Sequence, residues 1–147
     1  MPDSSPQHFL GFIIGSAYRG ISNQFARILR PYDITPEQWS VLFMISRNVG
    51  INQKEVAAAV VKDQPTTARI VELLLKKSLI TKSTSPSDRR AFLLYATEEG
   101  KALIELTLPL EQANISAAVA GLQPKQLIEL REMLDIIYHN TGTMHQE

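Results

Sequence analysis

Between Gln64 and Tyr95 the chain reads Q-P-T-T-A-R-I-V-E-L-L-L-K-K-S-L-I-T-K-S-T-S-P-S-D-R-R-A-F-L-L-Y, and this stretch constrains the fold more than any other. Its first half has helical spacing and stops at Lys76-Lys77-Ser78. Its second half is two short strands, residues 80–83 and 91–95, joined by a basic loop. On a helical wheel Thr66, Ile70, Leu73 and Leu74 gather on one side, with Gln64, Pro65, Ala68 and Glu72 opposite and Arg69 and Lys76 on the flank. A helix with short, hydrogen-bonding side chains on the outer face of its first turn suits the major groove of DNA, which is roughly 12 Å wide and admits one helix. The loop T-S-P-S-D-R-R adds two adjacent guanidiniums at a hairpin tip, a shape suited to phosphates or a narrow minor groove.

The segments before and after this stretch frame it. Apolar residues recur at helical spacing from His8 to Leu29, and Phe9, Leu10, Phe12, Ile13 and Ile14 leave the opening of that helix without a polar face. Such a terminal helix is expected to bury itself against a second subunit; a core helix in a monomer is the alternative. Thr35-Pro36-Glu37-Gln38 predicts an N-cap, a proline in the first turn and a capping box, opening a helix over residues 36–46 that turns Trp39, Leu42 and Phe43 inward. Asn52 to Glu55 repeats the device, with Asn52 as cap and Glu55 reaching back, before the short helix E-V-A-A-A-V-V. Lys62-Asp63 is read as the turn into the Gln64 helix. Three short helices followed by a β-hairpin is the order of a winged helix-turn-helix.

Thr97 predicts the cap of a longer helix with acidic residues in its first turn, and Pro109 predicts a kink or break near Thr107 to Leu110. Gln123-Pro124 opens a last helix ending near Asn140. There Leu127, Leu130, Leu134 and Ile137 form a stripe, widened by Ile128, Met133 and Tyr138. Residues 1–7 and the tail after Asn140 are expected to be loose.

Net charge bears on the partner. The 147 residues sum to zero, which taken alone counts against nucleic acid. Yet from Lys62 to Arg90 seven Lys/Arg stand against three Asp/Glu, while from Ala96 to Glu147 three stand against eight. One segment can therefore present a basic face while another stays acidic, although surface charge also fluctuates this much by chance. Cysteine is absent, which excludes disulfides and thiolate metal ligation. With no apolar run of about 18 residues, no membrane span is expected, and a cytoplasmic protein fits.

The segments I-T-P-E-Q-W-S-V-L, N-Q-K-E-V-A, T-T-A-R-I-V-E-L-L-L-K-K, S-P-S-D-R-R and Y-A-T-E-E-G-K, in this order and spacing, resemble the MarR (multiple antibiotic resistance regulator) family from about Phe9 to Asn140. The D-R-R segment followed by T-E-E-G is the most specific part. The resemblance implies a bacterial homodimeric transcription regulator, more often a repressor than an activator, on a short pseudopalindromic operator. It also implies dimerisation through the first and last helices, and release of DNA by a small, often phenolic, anion. Residues 64–77 become the recognition helix, Arg90 the wing arginine of the minor groove, Asp88 its orienting partner and Arg89 a phosphate contact. The chain departs from the family pattern at Ser78, where glycine is common, at Leu75, Ala96 and Pro65, and in having no cysteine in its first helix, which sets it apart from the peroxide-sensing branch.

The fold class expected is mainly α with a small β-hairpin wing. Residues 1–34 form an N-terminal dimerisation helix, residues 35–96 the winged helix-turn-helix, and residues 97–147 the C-terminal dimerisation helices. Candidate DNA-binding residues are Lys54, Gln64, Thr66, Thr67, Ala68, Arg69, Lys76, Asp88, Arg89 and Arg90. Gln64 can pair with adenine and Arg69 with guanine, the threonines can bond base edges or phosphates, Ala68 can touch a thymine methyl, and Lys54 and Lys76 can meet phosphates. For Arg90 the alternative is an ion pair with Asp88 that merely staples the wing. Phe12, Tyr18, Trp39 and Phe43 are candidates to line an apolar pocket for a phenolic or aromatic anion, or are ordinary core. His8, His139 and His145 lack metal-helix spacing, so no metal or cofactor is expected. No nucleophile elbow, glycine loop or metal helix suggests an enzyme. The second function class is a winged-helix module that docks a protein on the outer helix face, without direct DNA binding.

Overall fold

Each helix of the central segment begins where a side chain takes over its free N–H groups. In the computed structural model, which describes Ser5 and residues 7–143, the elements run α1 (Leu10–Leu29), a 3-10 turn (Arg30–Tyr32), α2 (Pro36–Arg47), β1 (Ile51–Asn52), α3 (Gln53–Val60), α4 (Gln64–Lys76), β2 (Ile80–Thr84), β3 (Phe92–Ala96), α5 (Glu98–Ala118) and α6 (Pro124–Thr143). The Thr35 hydroxyl accepts from Gln38 N at 3.2 Å while Thr35 N donates to Gln38 Oε1 at 3.3 Å, the expected capping box. Asn52 caps α3 by accepting from Glu55 N at 2.8 Å. Glu55 reaches back to the Asn52 side-chain amide (2.7 Å), whereas a capping box uses the backbone N–H. The Thr97 hydroxyl accepts from Gly100 N at 3.0 Å and opens α5.

The sheet has one strand more than the hairpin foreseen. Its order is β1-β3-β2, antiparallel throughout, with Ile51 opposite Leu94 and Thr81 opposite Tyr95. Two residues at β1 carry too little periodicity to be read as a strand, yet they tie the end of α2 to the base of the wing. Pro109 lies inside α5 and not at a break in it, and α6 runs three residues beyond Asn140. Residues 1–4, 6 and 144–147, including most of the expected loose termini and His145, lie outside the described residues.

Two compact units result, one through Asn114 and one from Ile115, the division falling within α5. The core of the first collects Phe25, Leu29, Ile34, Trp39, Val41, Leu42, Ile45, Ile51, Val56, Ile70, Val71, Leu74, Ile80, Leu94 and Ile104. Burial of these side chains is the main stabilising term, at roughly 1.5–3 kcal/mol for each large one. A polar relay runs through it: Trp39 Nε1 donates to the Thr107 hydroxyl at 2.8 Å, which donates to the Leu103 carbonyl at 2.6 Å. No buried side-chain nitrogen or oxygen among the described residues lacks a partner.

Two backbone features fix where α4 ends and α5 begins. Ser78 holds φ 58°, and its N–H and that of Leu79 return to the carbonyls of Leu75 and Leu74, a complete Schellman motif despite the missing glycine. Directly above it, a Cβ on Gly100 would fall 2.1 Å from the Leu79 carbonyl oxygen. The same oxygen accepts from Thr97 N at 3.0 Å, and the Thr97 hydroxyl donates to the Ser78 carbonyl at 2.8 Å. The start of α5 is thus seated on the end of α4.

The terminal helices leave apolar residues in solvent in the single chain. On α1 and just before it these are Phe9, Leu10, Phe12 and Ile13, and on α6 they include Ile128, Leu130, Met133, Leu134, Ile137 and Tyr138. None of the described helices is long and apolar enough to cross a membrane.

Candidate nucleic-acid interface

Helix α4 buries Thr67, Ile70, Val71 and Leu74, and this differs from the wheel by one position. Leu73, placed with Ile70 and Leu74 on the wheel, is exposed, and Thr66, placed on that side and also a DNA-binding candidate, is partly exposed; Thr67, expected to touch DNA, has no exposed surface. Its hydroxyl donates to the Asp63 carbonyl at 2.9 Å, so its side chain is spent on the helix start and presents nothing to a base. The wheel drew that side through Thr66 and Leu73 and left out Val71, whereas the buried stripe runs through Thr67 and Val71, where the Thr67 hydroxyl is satisfied locally. Gln64 and Arg69 are exposed, Ala68 is partly so, and Lys76 and Lys54 are exposed.

Asp63, read from sequence as part of a turn, is the N-cap of α4. Its Oδ1 accepts from Thr66 N and its Oδ2 from the Thr66 hydroxyl, both at 2.8 Å. These two bonds, the backbone one first, hold the Asp63 carboxyl below its ordinary value, so it is ionised at neutral pH. An aspartate directly before a helical run with proline in its first turn is the cap signal that the sequence holds for this helix.

At the other end, Lys77 is partly buried and structural. Its Nζ donates to the Asp33 carbonyl and, at 3.2 Å, to Gln38 Oε1, with the Asp33 carboxylate 3.8 Å away. This staple ties the C-terminus of α4 to the turn before α2, at a residue that sequence reading assigned no such bond.

The wing tip is built by short-range polar contacts. Ser85 N donates to the Ala91 carbonyl at 3.0 Å, the Ser85 and Ser87 hydroxyls are 3.1 Å apart, and Asp88 Oδ1 accepts from Arg90 N at 2.9 Å. Asp88 therefore positions the Arg90 backbone. The staple considered for it, an Asp88–Arg90 ion pair, is not formed, and neither Arg89 nor Arg90 has an ion-pair partner among the described residues. Both are exposed. At the base of the wing Lys82 Nζ sits 4.5 Å from the Phe92 ring centre. Between wing and α4 lies an open cleft of about 540 Å³, lined by Lys54, Lys82 and Arg90 together with Glu72 and Asp88. The arrangement is an outward helix face beside a loop carrying two uncompensated guanidiniums, which concentrates positive potential where a polyanion would lie.

The four aromatic candidates are not brought together. Trp39 stacks on Phe43 at 5.2 Å and meets Phe25 edge-on at the same distance, and Arg47 lies over Phe43. Phe12 and Tyr18 make no ring contact with that stack and are 73% and 62% exposed. Trp39 and Phe43 follow the core reading; Phe25 is the partner that was missed. Among the described residues no group of three metal-ligating side chains occurs.

The MarR family model matches residues 34–92, the span from the turn before α2 to the start of β3. A Thauera aromatica protein assigned as transcriptional regulator of the hcr operon is 31% identical over 129 residues, covering 85% of this chain and 78% of its own. Bordetella bronchiseptica BpsR, whose DNA binding is described as regulated by 6-hydroxynicotinic acid, superposes with a TM-score of 0.83 at 26% identity over 90% of this chain and 97% of its own. A mutant MarR from E. coli, solved in complex with operator DNA, shares the fold with a TM-score of 0.81 at 23% identity over 87% and 92% of the two chains.

Proposed function

The chain belongs to the MarR family of transcriptional regulators, and on that footing we propose that it binds an inverted-repeat operator as a homodimer, with α4 in the major groove and the wing on the flanking minor groove or phosphates. The observation that carries this is the two wing-tip arginines, without ion-pair partners among the described residues, together with the α4 face that exposes Gln64 and Arg69 and part of Ala68. Two like charges on one turn repel each other, and a polyanion relieves that cost while releasing its counterions. Lys54 and Lys76 extend the positive surface to the backbone, where contacts position the protein without reading sequence.

The dimer rests on the apolar side chains that α1 and α6 leave in water, a pattern that marks an interface. Twofold symmetry would set two α4 helices about one helical turn of DNA apart. Repression is the sense expected, because a dimer spanning two major grooves occludes the DNA it covers. A small aromatic anion is the expected effector, in keeping with what is described for BpsR; it would act by favouring a spacing of the α4 helices that misfits the operator.

Selection of bound duplexes from a random pool tests the reading. An enriched inverted repeat supports it. Enrichment of nothing, together with capture that does not weaken as salt rises, favours the protein-docking alternative, whose affinity does not depend on counterion release. For the effector, a panel of phenolic and pyridine carboxylic acids should include one that releases the selected duplex; no release by any of them would remove that part.

A further inference from the structure

The start of α4 has few free hydrogen-bond donors. Pro65 has no N–H, Thr66 N is held by the Asp63 carboxylate, and Thr67 N donates to the Asp63 carbonyl at 3.1 Å. A carboxylate already sits where a phosphate would otherwise be caught, so this helix end is unsuited to anchoring the DNA backbone. What it offers outward is a set of lone pairs. An ionised Asp63 cannot donate, so in the 2.8 Å contact between Thr66 Oγ1 and Asp63 Oδ2 the proton must be the threonine's. The Thr66 hydroxyl is thereby committed as a donor towards Asp63 and is left an acceptor on its open side. Asp63 is exposed and Thr66 partly exposed, next to the exposed Gln64.

We infer that Asp63 determines base preference by locking Thr66 as an acceptor, so that the pair selects an adenine or cytosine amine on the strand it faces. In the major groove adenine N6 and cytosine N4 are donors, whereas guanine O6 and thymine O4 are acceptors. A base pair always holds one of each kind. The lock therefore fixes the orientation of the pair, with the amine base on the contacted strand, and leaves the choice between A·T and C·G to neighbouring side chains. An acceptor base turned the other way would face the lone pairs of Thr66 and a carboxylate, with no donor to meet it. This inference rests on the DNA-binding reading above and adds to it a residue, Asp63, and a rule for one position of each half-site.

Asp63→Asn gives the rule its sharpest form. Asparagine is as good an N-cap as aspartate; its Oδ1 can keep the bond from Thr66 N, while its amide now donates to Thr66 Oγ1. The threonine proton is then free to point outward, and the polarity of the site reverses. The experiment is selection from one random duplex pool with the wild-type protein, Asp63→Asn, Thr66→Val and Thr66→Ser, each first checked for native circular dichroism. The wild type and Thr66→Ser should prefer A or C at one position per half-site by about fivefold, the ratio that one net hydrogen bond gives. Asp63→Asn should turn that position to G or T, and Thr66→Val should lose the preference there while keeping the rest of the motif. If Asp63→Asn does not fold, the comparison of Thr66→Val with Thr66→Ser decides. An enriched wild-type repeat that all folded variants reproduce at every position overturns the inference and leaves the DNA reading standing. A wild-type pool with nothing enriched removes the DNA reading itself.

Discussion

Gly100→Ala should destabilise the protein, although alanine is the better helix former by about 1 kcal/mol. The added Cβ would lie 2.1 Å from the Leu79 carbonyl oxygen and 3.3 Å from Leu42 Cδ1. An ordinary contact needs about 3.5 Å, so α5 and the α4–β2 junction must part by roughly 1.4 Å. Neither side yields easily, because the atom struck is backbone and Gly100 is buried beside a core leucine. Overpacking of this kind costs about 1–3 kcal/mol, and losing the Leu79–Thr97 backbone bond adds about 1 kcal/mol. After the propensity gain is subtracted, a net loss of about 1–3 kcal/mol remains. Urea unfolding followed by far-ultraviolet circular dichroism measures it, as a lower midpoint with an unchanged slope. A variant as stable as the wild type, or more so, would show that helix propensity governs this position and that α5 is not seated on the Leu79 carbonyl.

Ser78→Gly should act in the opposite direction, stabilising by about 0.5–1 kcal/mol, since the left-handed conformation costs a side chain more than glycine loses in chain entropy; thermal melting should rise by a few degrees. Thr107→Val keeps the shape but leaves the Trp39 indole N–H buried without an acceptor, at a cost of about 1–3 kcal/mol. Trp39 is the single tryptophan, so its emission follows that variant through a urea titration, and an unchanged midpoint would refute the relay. The Asp63 cap should give an acid-sensitive contribution: its folded-state value lies below the ordinary 3.8, so the stabilisation is complete well above that value and lost as pH falls through the lower one. Asp63→Asn should flatten this part of the stability–pH curve.

What was legible in the sequence follows from how local each cause is. Capping boxes and proline starts act within four residues, and Thr35, Asn52 and Thr97 declared their helices. The capping geometry at Asn52 differs only in which amide Glu55 meets. The wing could be placed because the D-R-R loop sits between two short β-branched and aromatic runs. What could not be read depends on partners far along the chain. Gly100 looks like a weak helix residue until the Leu79 carbonyl is found beneath it, and Lys77 looks solvated until Asp33 and Gln38 are brought to it. Trp39 and Phe43 suggested a pocket with Phe12 and Tyr18, but the ring that Trp39 meets edge-on is Phe25, four positions before Leu29 on α1. The one-position error on α4 had a different source: Leu73 and Val71 flank the Ile70–Leu74 line on opposite sides, and only the packing against the core shows that Val71, with Thr67, is the one turned in.

The central claim is that the wing arginines and the α4 face meet double-stranded DNA, and a salt titration tests it most directly. A labelled duplex bearing the selected repeat, titrated with wild type and Arg90→Ala between about 50 and 200 mM salt, gives the slope of log affinity against log salt. A steep negative slope for the wild type, shallower by about one unit and with weaker binding in Arg90→Ala, is the predicted result. Affinity that stays level with salt, or an Arg90→Ala protein indistinguishable from the wild type, would contradict it.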